Sequence, residues 1–143
     1  MQFEQIVVGV TAEWRKTVTE TDVVLYAGIT GDFNPVHVDA IAAAASPFGG
    51  RIAHGMLTAG LISAALASTV PGPGAIYLSQ SLVFKHPVRI GDTVTVRVEV
   101  LEVKPRTRRV RLATTCRNQD GQVVLDGEAQ VLVPEPASDS APA

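Results

Sequence analysis

Residues 55–70 read GMLTAGLISAALASTV, and this run decides the fold. It carries no charge and stops at Pro71-Gly72-Pro73-Gly74, a group that breaks any regular element. Small and apolar residues fall on all sides of its helical wheel, so the run predicts a helix buried on most sides. It is shorter than the roughly 20 apolar residues of a membrane span, which makes it a core helix instead.

Downstream of this run the periodicity changes to that of strands. Residues 76–85 read as one strand. Residues 93–103 alternate strictly, with Val94, Val96, Val98 and Val100 on one face. Residues 109–117 set Val110, Leu112, Thr114 and Cys116 against Arg109, Arg111 and Arg117, and residues 123–133 follow a turn at Asp120-Gly121. The last three strands read as an antiparallel meander. An apolar helix and strands with one apolar face satisfy each other when an antiparallel sheet curls around the helix, an α+β architecture. Val123, Val124, Val131 and Leu132 put apolar residues on both strand faces, which favours a partner chain.

Upstream, residues 11–18 are strand-like. Thr19-Glu20-Thr21-Asp22 reads as a capping box with Asp in place of Glu, opening a helix of about two turns. Residues 31–37 read as a breaker-rich loop, Asp39 caps a second short helix, and residues 46–50 form another loop.

The 143 residues are 46% hydrophobic and 18% charged, which is globular composition and fits one domain, residues 1–134. The polar tail, residues 135–143, reads as disordered. A formal net charge of −2 offers no basic excess for a nucleic-acid backbone. Cys116 is the only cysteine, so neither a disulfide framework nor a CxxC site exists, and Cys116 itself reads as a buried strand position. The N-terminus lacks the pattern of a signal peptide, and with no membrane span the expectation is a cytoplasmic protein.

Chemistry concentrates in two places. In Gly31-Asp32-Phe33-Asn34-Pro35-Val36-His37, a carboxylate and an imidazole stand five residues apart around a proline. Pro35 fixes its own φ and drives Asn34 out of the α region, so the segment can hold Asp32 and His37 to one water. An Asx-turn beside an incidental surface histidine accounts for the same residues equally well. In Gly50-Arg51-Ile52-Ala53-His54-Gly55-Met56, Gly55 opens the long helix. The first amides of that helix have no intrahelical acceptor and can bind a carbonyl on which negative charge develops. Glycine placed there for packing is the plainer explanation. Ser63 can reach that site or simply bond back to Ala59. Trp14 and Phe84 read as packing residues, His86 as structural, and the scattered histidines make no metal site.

Residues 26–39 and 50–56, with FKHPVRIGDTV at 84–94, resemble the MaoC-like, (R)-specific enoyl-CoA hydratase family. The resemblance spans about residues 5–133, and the match in size is to the short single-domain hydratases that supply polyhydroxyalkanoate synthesis. It implies a hot-dog fold, a homodimer, and hydration of trans-2-enoyl-CoA to (3R)-hydroxyacyl-CoA without a cofactor. It also implies roles. Asp32 and His37 would be the water-binding acid/base pair and Asn34 its support. Gly55 would supply the oxyanion N–H and Ser63 a polar position on the helix. Apart from the resemblance, His54 reads as fixing the loop that enters the helix, or as a contact near the thioester. The nearest alternative is a 3-hydroxyacyl-[acyl-carrier-protein] dehydratase. A hot-dog thioesterase is disfavoured because residues 55–70 hold no Asp or Glu. A non-catalytic acyl-thioester-binding subunit would have no reason to keep the Asp32/His37 pair. Lys85, Arg89 and the arginines at 106, 108, 109 and 111 could meet CoA phosphates or simply face solvent.

Overall fold

In the computed structural model, which describes residues 1–138, a strand β1 (Thr11–Thr17) precedes three short helices, α1 (Glu20–Thr30), α2 (Pro35–Val38) and α3 (Ala40–Ala44). The long helix α4 (Gly55–Ser68) follows, and then strands β2 (Ile76–Gln80), β3 (Val83–Phe84), β4 (Thr93–Lys104), β5 (Arg109–Arg117) and β6 (Val123–Leu132). The sheet runs β1-β4-β5-β6-β2, with β3 also on β6, and each pairing is antiparallel. This is the hot-dog arrangement of the α+β class: a sheet curled over one long helix. Residues 134–138 carry no helix or strand. The rest of the expected disordered tail, residues 139–143, lies outside the described residues.

The valine alternation sets the core. Val94, Val96, Val98 and Val100 of β4 point inward with Val110, Leu112 and Cys116 of β5 and Val124, Leu125, Ala129 and Val131 of β6, and all are essentially inaccessible. Against them pack Leu61, Ile62, Ala65 and Leu66 of α4. Their spacing puts these four on one side of the helix.

Four sequence expectations need correction. First, α4 is not buried on most sides. Met56, Gly60, Ser63 and Ala67 form an exposed stripe, because one curled sheet covers only one side of a helix. Second, residues 76–85 are two strands. The register shifts between Tyr77 and Ser79, and the chain then crosses β6 so closely that a Cβ on Gly127 would lie 1.8 Å from the Ser81 carbonyl oxygen. The Ser81 N–H donates to Glu128 O, and the Glu128 N–H donates to Ser81 Oγ. Third, α1 has 11 residues, about a turn more than expected. Fourth, the segment around His37 is not all loop, since Pro35–Val38 makes one helical turn.

The N-terminal caps are those the sequence indicates. The Asp22 N–H donates to Thr19 Oγ1 at 3.2 Å, and the Thr19 N–H donates to Asp22 Oδ2 at 2.9 Å. Partial burial works against the Asp22 charge. The hydrogen bonds from Lys16 and Thr19, together with the Lys16 charge, outweigh burial and hold the carboxyl below its ordinary range. Asp39 Oδ1 accepts from the Ile41 and Ala42 N–H groups, both at 3.0 Å, and starts α3.

Candidate active site

Three turns of backbone chemistry place the acid and the imidazole. Gly31 ends α1 in the left-handed conformation, φ 79°, which glycine adopts without strain. Asp32 Oδ1 then accepts from the Asn34 N–H at 3.2 Å. Asn34 sits at ψ 127°, out of the α region as the following proline requires, and its Oδ1 accepts from the Val36 N–H at 3.3 Å. Asn34 thereby caps α2, with Pro35 at the first helical position. The result is an exposed Asp32 carboxylate one short turn from His37, which is 8% exposed.

The segment before α4 closes over this turn. The Ile52 N–H donates to Val36 O at 3.2 Å, and Arg51 Nε donates to His37 O at 2.6 Å. The Arg51 guanidinium also holds both carboxylate oxygens of Glu20 on α1, at 2.9 and 3.0 Å. His37 Nδ1 lies 2.8 Å from the Ile52 carbonyl oxygen. A carbonyl only accepts, so Nδ1 carries the proton and neutral His37 presents Nε2 as a lone pair. The same logic applies to His54. Its Nε2 donates to the Asp32 carbonyl at 2.9 Å, which leaves Nδ1 as an acceptor, buried and without a partner. The His54 ring stacks on His37 with centroids 3.9 Å apart and meets Tyr26 at 4.7 Å. His54 thus does more than fix the loop: it holds the main chain of Asp32 and one face of His37.

Among the described residues, donor atoms of Asp32, His37 and His54 all lie within 4.8 Å of one another, a group that could hold a metal ion. Each imidazole has one nitrogen committed to a carbonyl, Nδ1 in His37 and Nε2 in His54, and the rings stack at 29°. The remaining nitrogen of His54 is buried, which leaves the Asp32 carboxylate and His37 Nε2 as the candidates for a shared water.

Gly55 begins α4 beside this group. The Leu57 and Thr58 N–H groups both donate to His54 O, at 3.1 and 3.3 Å, so the amides left over are those of Gly55 and Met56. A Cβ at Gly55 would lie 2.7 Å from Cε1 of Phe84. The glycine therefore serves packing and leaves the amide approachable. Phe84 packs here, as the sequence indicates, although it is 54% exposed: its ring covers the start of α4.

Gly55 also lines an apolar cleft of about 320 Å³. Ile52, Thr58, Phe84, His86, Val88 and Leu125 are among its walls. Asp32 and His37 are not, so Gly55 and Ile52 form the junction between polar group and cleft. Lys85 stands at the cleft and pairs loosely with Asp126 at 3.7 Å.

The structure therefore brings Asp32, Asn34, His37, His54 and Gly55 together and leaves Ser63 apart. Ser63 lies about 12 Å further along the α4 axis, on the exposed stripe. Among the described residues it makes no side-chain hydrogen bond, to Ala59 or otherwise. Three of the arginines weighed as phosphate contacts have protein partners. Arg89 donates to Phe48 O. Arg108 covers the Phe3 ring and donates to Val133 O, and Arg111 binds Glu102 and Glu128. Sequence reasoning passed over Tyr26, Arg51 and Thr58. The signal for Thr58 is its i+3 spacing from Gly55 on a helix whose other polar side chains are Ser63 and Ser68.

Fold and site together define a hot-dog hydro-lyase scaffold, and the comparison with known proteins agrees: residues 4–121 match the MaoC like domain, and the chain belongs to that family. It is 56% identical over 135 residues to the 3-hydroxybutyryl-CoA dehydratase of Methylorubrum extorquens, covering 94% of this chain and 85% of that one. It is 52% identical to the (R)-specific enoyl-CoA hydratase of Rhodospirillum rubrum, covering 92% and 91%. The unliganded R-hydratase of Pseudomonas aeruginosa superposes with a TM-score of 0.88 at 46% identity, covering 99% of this chain and 94% of that one.

Proposed function

We propose that this chain catalyses the reversible, (R)-specific hydration of trans-2-enoyl-CoA to (3R)-hydroxyacyl-CoA. The observation that carries the reading is the 2.8 Å contact between His37 Nδ1 and the Ile52 carbonyl oxygen. The Ile52 carbonyl leaves Nε2 as a lone pair beside the Asp32 carboxylate, next to the free amides of α4. A water held between Asp32 and His37 Nε2 gives up a proton to one of them as its oxygen bonds to C3. The C2–C3 π electrons shift toward the thioester, and the charge gathering on its oxygen is met by the Gly55 amide and the helix dipole. A proton returned from the pair to C2 completes the addition on one face of the double bond, and the reverse sequence is dehydration. Positioned acid–base help of this kind is worth about 10²–10⁴-fold.

The same proposal includes a homodimer in the cytoplasm. The open edge strand β2 exposes Ile76, Tyr77 and Leu78, 39–49% accessible, beside the bare stripe of α4 that carries Ser63. Pairing this edge with a second copy would remove an exposed strand edge and cover the stripe, and Ser63 would then act at the interface. Among the described residues, no helix is long and apolar enough to cross a membrane.

Loss of the enoyl-thioester absorbance, followed across acyl lengths with chiral analysis of the product, tests the activity. A (3R) alcohol made from the free CoA thioester is expected. A mainly (3S) product overturns the reading, and turnover only on acyl-carrier-protein thioesters would favour the dehydratase.

A further inference from the structure

Thr58 is the one place in the cleft wall where a buried polar side-chain atom has nothing to bind. The residue is 2% exposed, lines the apolar cleft, and its Oγ1 has no hydrogen-bond partner. A hydroxyl in a helix interior ordinarily bonds back to the carbonyl four residues earlier. Here that carbonyl belongs to His54, and its two lone pairs already receive the Leu57 and Thr58 N–H groups. The usual internal solution is therefore closed. Leaving a buried hydroxyl unpaired is costly, yet valine has almost the same shape and no such cost.

The placement says what the hydroxyl is for. Thr58 lies one turn past Gly55 on the same face of α4, and helical side chains tilt toward the N-terminus, so its Oγ1 is carried back toward the free Gly55 amide. Gly55 has no Cβ to stand between them. We propose that Thr58 is a substrate-binding residue whose hydroxyl donates to the acyl thioester carbonyl, acting as a second donor alongside the Gly55 amide. The inference rests on the proposed acyl-thioester chemistry and deepens it: the ligand group is an acceptor-only oxygen bound at the junction of cleft and polar group.

Thr58→Val and Thr58→Ser separate this from a structural role. With crotonyl-CoA, Thr58→Val should lose about 10²-fold in kcat/KM, chiefly in kcat, as for removal of one oxyanion donor. Thr58→Ser keeps the hydroxyl and should retain activity within a few-fold. Because the hydroxyl is unpaired in the resting protein, the Tm of Thr58→Val should equal or exceed that of the wild type. Binding of butyryl-CoA, which cannot be hydrated, should weaken by about tenfold in Thr58→Val, the worth of one hydrogen bond. Wild-type kcat/KM in Thr58→Val overturns the inference. So does a lowered Tm in which Thr58→Ser shares the loss of activity. If the wild type binds butyryl-CoA through Thr58 but hydrates nothing, the activity reading fails while this inference stands. If the wild type does not bind butyryl-CoA, this inference fails with it.

Discussion

Gly55→Ala is the most informative single change, because its effects on folding and on activity should part. The new methyl would lie 2.7 Å from Cε1 and 2.9 Å from Cδ1 of Phe84, so the ring must retreat by about 1 Å to reach ordinary carbon contact. Phe84 is 54% exposed and has solvent to retreat into. That cost is offset by the preference of a helix for Ala over Gly, up to about 1 kcal/mol. Stability should therefore change by less than about 1 kcal/mol, a Tm shift of only a few degrees. Activity should fall far more, since the methyl stands where the thioester oxygen must approach the Gly55 amide. Losing one such donor costs about 10²–10³-fold in kcat. The assay is kcat/KM on an enoyl-CoA for Gly55→Ala, Phe84→Ala and the double variant, with circular dichroism melting curves for each. If displacement of the ring caused the loss, removing the ring would restore the rate. The expectation is no restoration. Near-wild-type activity in Gly55→Ala, or rescue by Phe84→Ala, would refute the placement of the substrate oxygen at this amide.

Other expectations follow from the same geometry. Asp32→Asn and His37→Gln should each lower kcat/KM by roughly 10²–10⁴ with intact folds, and the double variant should lose little more than the worse single, as groups sharing one water do. Tyr77→Asp combined with Leu78→Asp should leave the chain folded and shift sedimentation equilibrium from twice the chain mass to one. Burial, helped by the Asp126 charge, pushes the Cys116 thiol up to about 12. It should therefore resist alkylation in the native protein at pH 8–9 and react fully in denaturant. Because the folded value lies above the unfolded one, the thiol's contribution to stability is whole below about pH 8.5. It should decline by up to about 1.4 kcal/mol per pH unit above that, a slope that denaturant titrations of Cys116→Ala should lack. Gly127→Ala should cost about 1–3 kcal/mol or more, since its Cβ would strike the Ser81 backbone rather than a side chain able to move; an unchanged denaturation midpoint would refute the tight crossing.

What the sequence revealed well was whatever is decided locally. The valine alternation of residues 93–103 could only be a half-buried strand, and β4 covers it. Thr19/Asp22 and Asp39 cap helices because a short polar side chain satisfies orphan amides within three residues of itself, so the signal and its effect share one stretch of chain. Asn34 was legible for the same reason. Pro35 excludes the α region before it, a strong local rule that marks Asn34; its preference for opening a helical turn is weaker than the surrounding breaker residues, so α2 reads as loop in the sequence.

What the sequence hid depends on chain segments that meet only after folding. The break between β2 and β3 is imposed by Gly127, some 46 residues past Ser81, where two backbones cross with no room for a side chain; nothing in residues 76–85 announces it. The exposed stripe of α4 reads as core in a sequence because a helix apolar all round does not mark which of its sides the sheet covers; in the proposed homodimer a second copy would cover the rest. The orphan hydroxyl of Thr58 is hidden more deeply still. In sequence it is an ordinary helical threonine, since threonine's usual bond to the i−4 carbonyl gives it a partner by default. Only the doubled donation to His54 O, set by how tightly α4 begins, removes that partner and leaves the hydroxyl for a ligand. The function of such a residue is legible from an accounting of lone pairs, which no pattern of residue types contains.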